Sequence, residues 1–187
     1  IHEIYEQIKR ILDLGTVCGF DGNLWHCYLT WVLMTNDNPF ARTCERVGAS
    51  EGSVNRFARS DFAGFRKLFD YDFSAVEQDL GIDCFSILCD YQAVPKRQRM
   101  YNQDVSHQVR TLSRALAAAD VEDMVLLLTS YYKQYGFGVF AMNRAFRIRL
   151  REQEELEFLP ISNIDRAMLR DLLGNESQKQ ELRRNTE

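Results

Sequence analysis

The side chains best suited to metal binding or nucleophilic catalysis are few and scattered along the chain. The three histidines are His2, His26 and His107, and the five cysteines are Cys18, Cys27, Cys44, Cys84 and Cys89. A structural zinc site needs several converging ligands, and its cysteines commonly occur as C-x-x-C pairs. No such pair is present, and the histidines lie far apart in sequence. We therefore predict no metal site, no assignable nucleophile and five reduced cysteines that are buried as small apolar side chains.

Two glycines, Gly136 and Gly138, could begin a loop that holds a nucleotide. A dinucleotide-binding loop follows a β-strand and has three glycines in the pattern G-x-G-x-x-G. The third glycine is missing here, and the residues before Gly136 have helical periodicity. The pair therefore predicts the end of a helix followed by a tight bend.

Two clusters of basic residues lie near aromatic residues, a combination that could contact single-stranded nucleic acid. The clusters are Lys96, Arg97 and Arg99, near Tyr101, and Arg144, Arg147, Arg149 and Arg151, near Phe140 and Phe146. The net charge of −4 and the acidic stretch 152–157 argue against that function. We expect solvated or salt-bridged surfaces, and keep a single-stranded nucleic-acid accessory domain only as the second alternative.

The composition around these residues favours one compact, mainly α-helical domain. The 187 residues are 45% hydrophobic and include only 3 prolines, which leaves room for long helices. A run of about 18 apolar residues that could span a membrane is missing. The first residues lack the basic and apolar regions of a secretory signal, and the cysteine count is odd. We therefore predict a cytoplasmic location and no membrane partner.

Apolar residues at intervals of three and four predict a series of helices. The first helix covers residues 1–14 and is expected to end at Gly15. The second begins near Asp21 or Asn23 and is apolar nearly all round, so it should be the central buried helix.

Signals for helix starts and for the core continue in the middle of the chain. Ser50 is expected to cap a helix, and Ser74-x-x-Glu77 matches a capping box before a short helix that Gly81 closes. The phenylalanines expected to face the core from the helix after Ser50 are Phe57, Phe62, Phe65 and Phe69.

The pattern changes after Gly136. Alternation of apolar and basic residues predicts short strands near 147–159. A short helix from Ser162 to Gly174 and a last helix capped by Asn175 should follow. That last helix is polar, so we expect the chain to be cut before the partner on which it packs.

Two segments carry a resemblance to a known family. The first is Gly136-Phe-Gly138-Val-Phe-Ala-Met-Asn-Arg144-Ala-Phe146-Arg147, and the second is Asp171-Leu-Leu-Gly174-Asn-Glu-Ser-Gln178-Lys179-Gln-Glu-Leu182-Arg-Arg-Asn185-Thr186-Glu187. Together they resemble the N-terminal part of a bacterial AAA-type ATPase family catalogued as domain of unknown function 815, just before its phosphate-binding loop. The resemblance divides the chain into a helical N-terminal domain, 1–147, and a linker with the first segment of a truncated ATPase module, 148–187.

The resemblance implies that the complete protein binds ATP and Mg²⁺ and hydrolyses ATP. In AAA-type modules a D-L-[LVI]-G segment lies against the adenine, so the residues implied for that role are Asp171, Leu172, Leu173 and Gly174. The loop G-x-x-x-x-G-K-[ST], which holds the phosphates, does not occur in this chain. We therefore expect no catalytic residue and no bound cofactor within residues 1–187. In the alternative interpretation, Leu172 and Leu173 only pack the linker.

The function expected from these observations is recognition of a protein partner or substrate by the N-terminal part of an ATPase. ATP turnover in the absent module would reorient the two parts through the connection 148–175. A homo-oligomer of the full-length protein is compatible with this hypothesis. The first alternative is a self-contained helical protein-interaction module without nucleotide chemistry.

Overall fold

Helices make up most of the chain in the computed structural model. The structure describes residues 2–48, 52–93, 101–143, 145–150, 156–161, 174 and 176–186. These residues form ten helices and one two-stranded antiparallel sheet, which confirms the prediction of a mainly α-helical protein with short strands near 147–159. None of the described helices is long and apolar enough to cross a membrane.

The helices are α1 (His2–Cys18), α2 (Leu24–Thr35), α3 (Pro39–Val47), α4 (Ser53–Phe69), α5 (Ser74–Leu80), α6 (Ser86–Cys89), α7 (Gln103–Ala118), α8 (Val121–Tyr135), α9 (Gly138–Met142) and α10 (Glu176–Thr186). The strands are β1 (Phe146–Leu150) and β2 (Leu156–Pro160). We refer to α1–α9 together as the helical body.

Helix α2 lies at the centre of the helical body, as its apolar sequence predicted. Asn23 caps its N-terminus, because the Asn23 side-chain oxygen accepts a hydrogen bond from the His26 amide at 2.9 Å. The helix packs against α1, α4, α6, α7 and α9. A helix that is apolar on every side is stable in water only when neighbours cover it on every side, and this packing provides that cover.

Helix α1 continues past Gly15, so the prediction that it ends there is wrong. Gly15 is buried, and a Cβ atom at this position would lie 2.7 Å from Leu24 Cδ1, so the glycine lets α1 and α2 approach closely. The helix ends at Cys18, where Gly19 adopts a φ of 68° and the Phe20 amide donates to the Gly15 carbonyl at 2.9 Å. This is a Schellman motif. Both glycines suit a helix end, and tertiary packing decides between them.

Helix α4 packs against α3 and α8 through a face of aromatic side chains. Phe62 and Phe69 are buried and Phe65 is half-buried, as predicted. Phe57 is 72% exposed, so its assignment to the core is wrong. At about 100° per residue, Phe57 lies roughly 140° around the helix from Phe62, and the buried Ala58 takes the core position in that turn.

Helix α5 begins at Ser74 as predicted, but the capping box between Ser74 and Glu77 does not form. The Asp72 carboxylate accepts hydrogen bonds from the Ser74 amide at 2.9 Å and from the Ser74 hydroxyl at 2.7 Å. Glu77 Oε1 instead accepts from the amides of Phe85 and Ser86, at 2.7 Å and 2.8 Å. Glu77 thereby caps the next helix, α6, and ties it to α5.

The helix ends predicted at Gly81 and Gly136 are confirmed. The φ angles of these two glycines are 63° and 76°, in the region that glycine adopts without a steric penalty. Gly138 has a φ of 75° and forms the predicted bend, from which the short helix α9 begins.

Strands β1 and β2 form a hairpin in which Ile148 pairs with Phe158 at the centre. Because side chains alternate along a strand, one face of the hairpin is entirely apolar. That face contains Phe146, Ile148, Leu150, Leu156, Phe158 and Pro160. The opposite face contains Arg147 and Arg149 with Glu157 and Leu159.

Several predictions fall outside the described residues. These are the cap at Ser50, the basic residues of 96–99, the acidic residues 152–155, the helix expected between Ser162 and residue 173, and the cap at Asn175. The last predicted helix is confirmed as α10.

Candidate protein-recognition groove

A groove of about 490 Å³ lies on the surface of the helical body, where α1, α2 and α6 meet. One wall is a face of α1, the floor is formed by Trp25 and Leu88, and the other wall is formed by Phe73 and Phe85. We call this feature the aromatic groove. Its volume is within the range of about 300–1,000 Å³ that is typical of binding sites.

The α1 wall follows from the apolar spacing of that helix. Ile4, Ile8 and Ile11 recur at intervals of four and three, which aligns them on one side of α1. Ile8 and Ile11 are buried against the other helices of the helical body, and Ile4 is half-buried. Glu3 and Gln7 also line the groove but are exposed, so they form its polar rim.

The floor is held in place by Trp25. Its indole Nε1 donates a hydrogen bond to the carbonyl of Leu68, near the end of α4, at 2.8 Å. The ring meets the edge of Phe73 at a centroid distance of 5.2 Å and an interplanar angle of 86°. The buried Leu88 completes this apolar floor. The hydrogen bond and the ring contact fix the orientation of the Trp25 side chain before any partner binds.

The opposite wall is a pair of stacked rings. Phe73 and Phe85 lie 4.7 Å apart between centroids, with an interplanar angle of 6°. Tyr71 adds an edge contact to Phe73 at 4.9 Å. The backbone amide of Phe85 is fixed by Glu77, so the position of this wall depends on the link between α5 and α6.

Acidic residues lie close in sequence to both residues of the aromatic wall. Asp72 immediately precedes Phe73, and Asp83 is two residues before Phe85. The hydrogen bonds from the Ser74 backbone and hydroxyl lower the pKa of Asp72 below its usual value. Of the nearby acids, Glu3 lines the groove itself, and Glu77 is bonded to the Phe85 amide of the aromatic wall.

The groove contains little that could catalyse a reaction. Among the described residues that line it, the polar side chains are the Glu3 carboxylate, the Gln7 amide and the Trp25 indole. The described part of the chain has no group of three His, Cys, Asp or Glu side chains placed to hold a metal ion. The arrangement is therefore suited to binding apolar side chains.

The apolar face of the hairpin is a second candidate surface. Ile148, Leu150 and Leu156 are 60%, 65% and 61% exposed. Phe140 of α9 extends the face, because its ring lies 4.9 Å from Phe146 and 5.2 Å from Phe158. Contiguous exposed apolar surface of this kind commonly marks an interaction site.

His26 has a structural role, in agreement with its isolated position in the sequence. Its Nε2 donates a hydrogen bond to the Phe69 carbonyl at 2.8 Å. With Trp25, it therefore satisfies two carbonyl groups at the C-terminus of α4. His26 also borders a cavity of about 390 Å³ that Arg110 and Arg114 line.

The cysteines follow the prediction in part. All five are free thiols; Cys27, Cys44 and Cys84 are buried, whereas Cys18 is half-buried and Cys89 is exposed. The prediction that all five are buried is thus wrong for Cys89, which lies at the end of the four-residue helix α6. Burial raises the pKa of Cys18 to about 11, which disfavours the reactive thiolate.

The residues implied for the adenine side of a nucleotide site are mostly not described. Asp171, Leu172 and Leu173 lie outside the described residues. Gly174 is exposed and has a φ of 82°, and none of the described residues other than its chain neighbours comes within 4 Å of the place where a Cβ would lie. The adenine-side role of these four residues stays a prediction.

The structure separates the arginines from the aromatic residues in the second basic cluster. Arg147 and Arg149 point from the face of β1 opposite to Phe146. The remaining basic residues of both clusters, Lys96, Arg97, Arg99, Arg144 and Arg151, lie outside the described residues. Tyr101, the aromatic neighbour of the first cluster, packs against Gly19.

Sequence reasoning did not identify the aromatic groove. Trp25 lies in the helix that the sequence predicts to be buried nearly all round, and the spacing of Phe73 and Phe85 gives no sign that they face it. A signal was present in the segment 68–93, which contains five aromatic residues and six acidic residues but no Lys or Arg. Aromatic residues in a segment with one sign of charge suggest an exposed, charged binding surface.

A scan against protein-family models, a search of curated proteins and a search of solved structures each found no match to this chain.

Proposed function

We propose that the helical body is a protein-recognition domain and that it forms the N-terminal part of an AAA-type ATPase. The observation that carries the recognition role is the aromatic groove, which is apolar, open along one side of α1 and bordered by polar side chains. Protein interfaces typically centre on aromatic anchors in a well-packed pocket with a polar rim.

The internal contacts of the groove support this role. The hydrogen bond from Trp25 to Leu68 and the stacking of Phe73 on Phe85 fix the floor and one wall. A binding surface that is already ordered loses less conformational entropy when a partner binds. The groove is therefore better suited to a specific partner than a mobile apolar surface of the same size.

The ATPase part of the proposal is supported by the resemblance of segments 136–147 and 171–187. In this proposal the missing module packs on the apolar face of the hairpin, whose first strand begins at the end of the first segment. ATP and Mg²⁺ would bind in that module, with Asp171, Leu172, Leu173 and Gly174 on the adenine side. ATP turnover would then change the orientation of the helical body relative to the module.

The self-contained interaction module is the first alternative, and it shares the aromatic groove but needs no ATPase. The gene sequence downstream of Glu187 distinguishes the two. A G-x-x-x-x-G-K-[ST] motif shortly after that residue would support the ATPase, and a stop codon would exclude it.

Peptide display on the purified chain tests the recognition role. We expect the wild-type chain to enrich a related set of peptides with apolar anchors. Gln7→Trp places a large side chain in the groove and should abolish their capture, whereas Asp13→Trp, on an exposed position of the same helix, should retain it. Failure to enrich any peptide family, or equal capture by both variants, would contradict the proposal.

Isothermal titration with ATP and Mg²⁺ tests the assignment of the nucleotide site to the missing module. Residues 1–187 contain no phosphate-binding loop, so we expect no binding. Binding at micromolar concentrations of ATP would mean that the described body itself holds the nucleotide, which contradicts this division of roles.

A further inference from the structure

We propose that the partner segment bound in the aromatic groove is a basic amphipathic helix, with apolar residues on one face and Lys or Arg beside them. This inference rests on the proposed recognition role and adds the chemistry of the partner.

The shape of the groove fits a short helix. Its α1 wall extends from Glu3 to Ile11, which at 1.5 Å per residue corresponds to about 12 Å. Two turns of a docked helix cover this distance and present apolar residues at positions i, i+4 and i+7. The floor at Trp25 and Leu88 and the rings of Phe73 and Phe85 supply the apolar contacts that such residues need.

The negative charge at the groove determines which charge on a partner is attracted. The carboxylate of Glu3 lines one wall directly. On the opposite side, Glu77 is bonded to the Phe85 backbone at 2.7 Å, and Asp72 and Asp83 flank Phe73 and Phe85 in sequence. One carboxylate, Glu3, therefore lines the α1 wall, and a second, Glu77, is bonded to the backbone of the opposite wall.

No Lys, Arg or His side chain is among the described residues that line the groove. The segment 68–93, which supplies the aromatic wall, contains no Lys, Arg or His. On α1, Lys9 is paired with Glu6 at 2.7 Å. Neither Lys9 nor Arg10 is among the described residues that line the groove. An acidic peptide would meet like charges on both sides, whereas Lys or Arg beside the apolar anchors would be attracted.

The test uses two labelled synthetic helical peptides of about 14 residues with identical leucine positions. In the basic probe the positions beside the leucines are Lys and Arg, and in the acidic probe they are Glu. Fluorescence anisotropy measures the binding of each probe to the full chain. We expect the basic probe to bind about tenfold more tightly, with the difference shrinking as salt is added.

Charge reversal locates the effect. Glu3→Lys should weaken binding of the basic probe about fivefold, since an attractive contact at the rim becomes repulsive. Asp13→Lys makes the same change in net charge on the same helix, at an exposed position that does not line the groove, and should change the affinity by less than about twofold.

The outcomes separate this inference from the function on which it rests. If both probes bind with equal affinity and Gln7→Trp abolishes their binding, the groove recognises helices but the proposed selectivity for charge is wrong. Equal effects of Glu3→Lys and Asp13→Lys would also overturn it, because the attraction would then depend on net charge alone. If neither probe binds, the recognition role of the groove fails as well.

Discussion

The aromatic groove and the apolar face of the hairpin differ in how the fold supports them. In the groove, Trp25 is held by a hydrogen bond to α4, and Phe73 stacks on Phe85. The hairpin face is exposed, and Ile148 and Leu150 are 60% and 65% accessible. Its described ring contacts with the helical body come from Phe140.

The difference shows that two apolar surfaces of one chain can have different physical origins. The groove is part of the packed helical body, so its shape is maintained whether or not a partner is bound. A two-stranded hairpin is only marginally stable by itself in water, so the hairpin gains most from a neighbour that covers its apolar face. This contrast predicts that substitutions in the groove change stability, and that substitutions on the hairpin change association.

The largest expected effect is on the floor of the groove. Trp25→Ala removes the ring contact with Phe73 and the hydrogen bond to the Leu68 carbonyl, and should lower the free energy of unfolding by about 3 kcal/mol. Trp25→Phe keeps an aromatic ring but loses the donor, and should cost about 1 kcal/mol. Urea denaturation followed by circular dichroism measures both. A loss below about 1 kcal/mol for Trp25→Ala would show that the floor is not part of the packed body.

A smaller effect is expected at the link behind the aromatic wall. Glu77→Ala leaves the amides of Phe85 and Ser86 without their acceptor and should cost about 1.5 kcal/mol. Asp79→Ala removes an exposed acid from the same helix and should change stability by less than about 0.5 kcal/mol. Thermal unfolding of the two variants in parallel provides the measurement, and equal melting temperatures would argue against the Glu77 link.

The smallest effect on stability is expected on the hairpin. The double variant Ile148→Thr and Leu156→Thr makes the exposed face more polar. Threonine is β-branched and favoured in strands, so the hairpin should still form. The free energy of unfolding should change by less than about 0.5 kcal/mol, while self-association at high concentration decreases. Sedimentation velocity of wild type and variant tests this. A large loss of stability would indicate that the face is packed within the same chain.

Much of the helical body could be predicted from the sequence, because apolar spacing and local caps are encoded by neighbouring residues. The central position of α2 and the helix ends at Gly81 and Gly136 are confirmed, and of the two candidate caps of α2, Asp21 and Asn23, the structure uses Asn23. The choice between Gly15 and Gly19 as the end of α1 could not be predicted, since it depends on the contact of Gly15 with Leu24.

The candidate site was harder to predict because it is assembled from distant segments. Trp25 and Phe85 are 60 residues apart and line the same groove because α2 packs on α6. Glu77 illustrates the same limit, because its hydrogen-bond partners differ from those that the sequence predicts. Its spacing from Ser74 matches a local motif, but in the fold its carboxylate binds the start of α6. Local patterns do not show which long-range partner competes for a side chain.

Isoleucine methyl NMR of the full chain, titrated with the basic probe peptide, tests the central claim most directly. The isoleucines of α1, Ile4, Ile8 and Ile11, line the aromatic groove, whereas Ile148 lies on the hairpin. If the groove is the recognition site, the methyl signals of the three α1 residues shift in a saturable manner and that of Ile148 does not. Shifts confined to Ile148, or the absence of any saturable shift, would contradict the account.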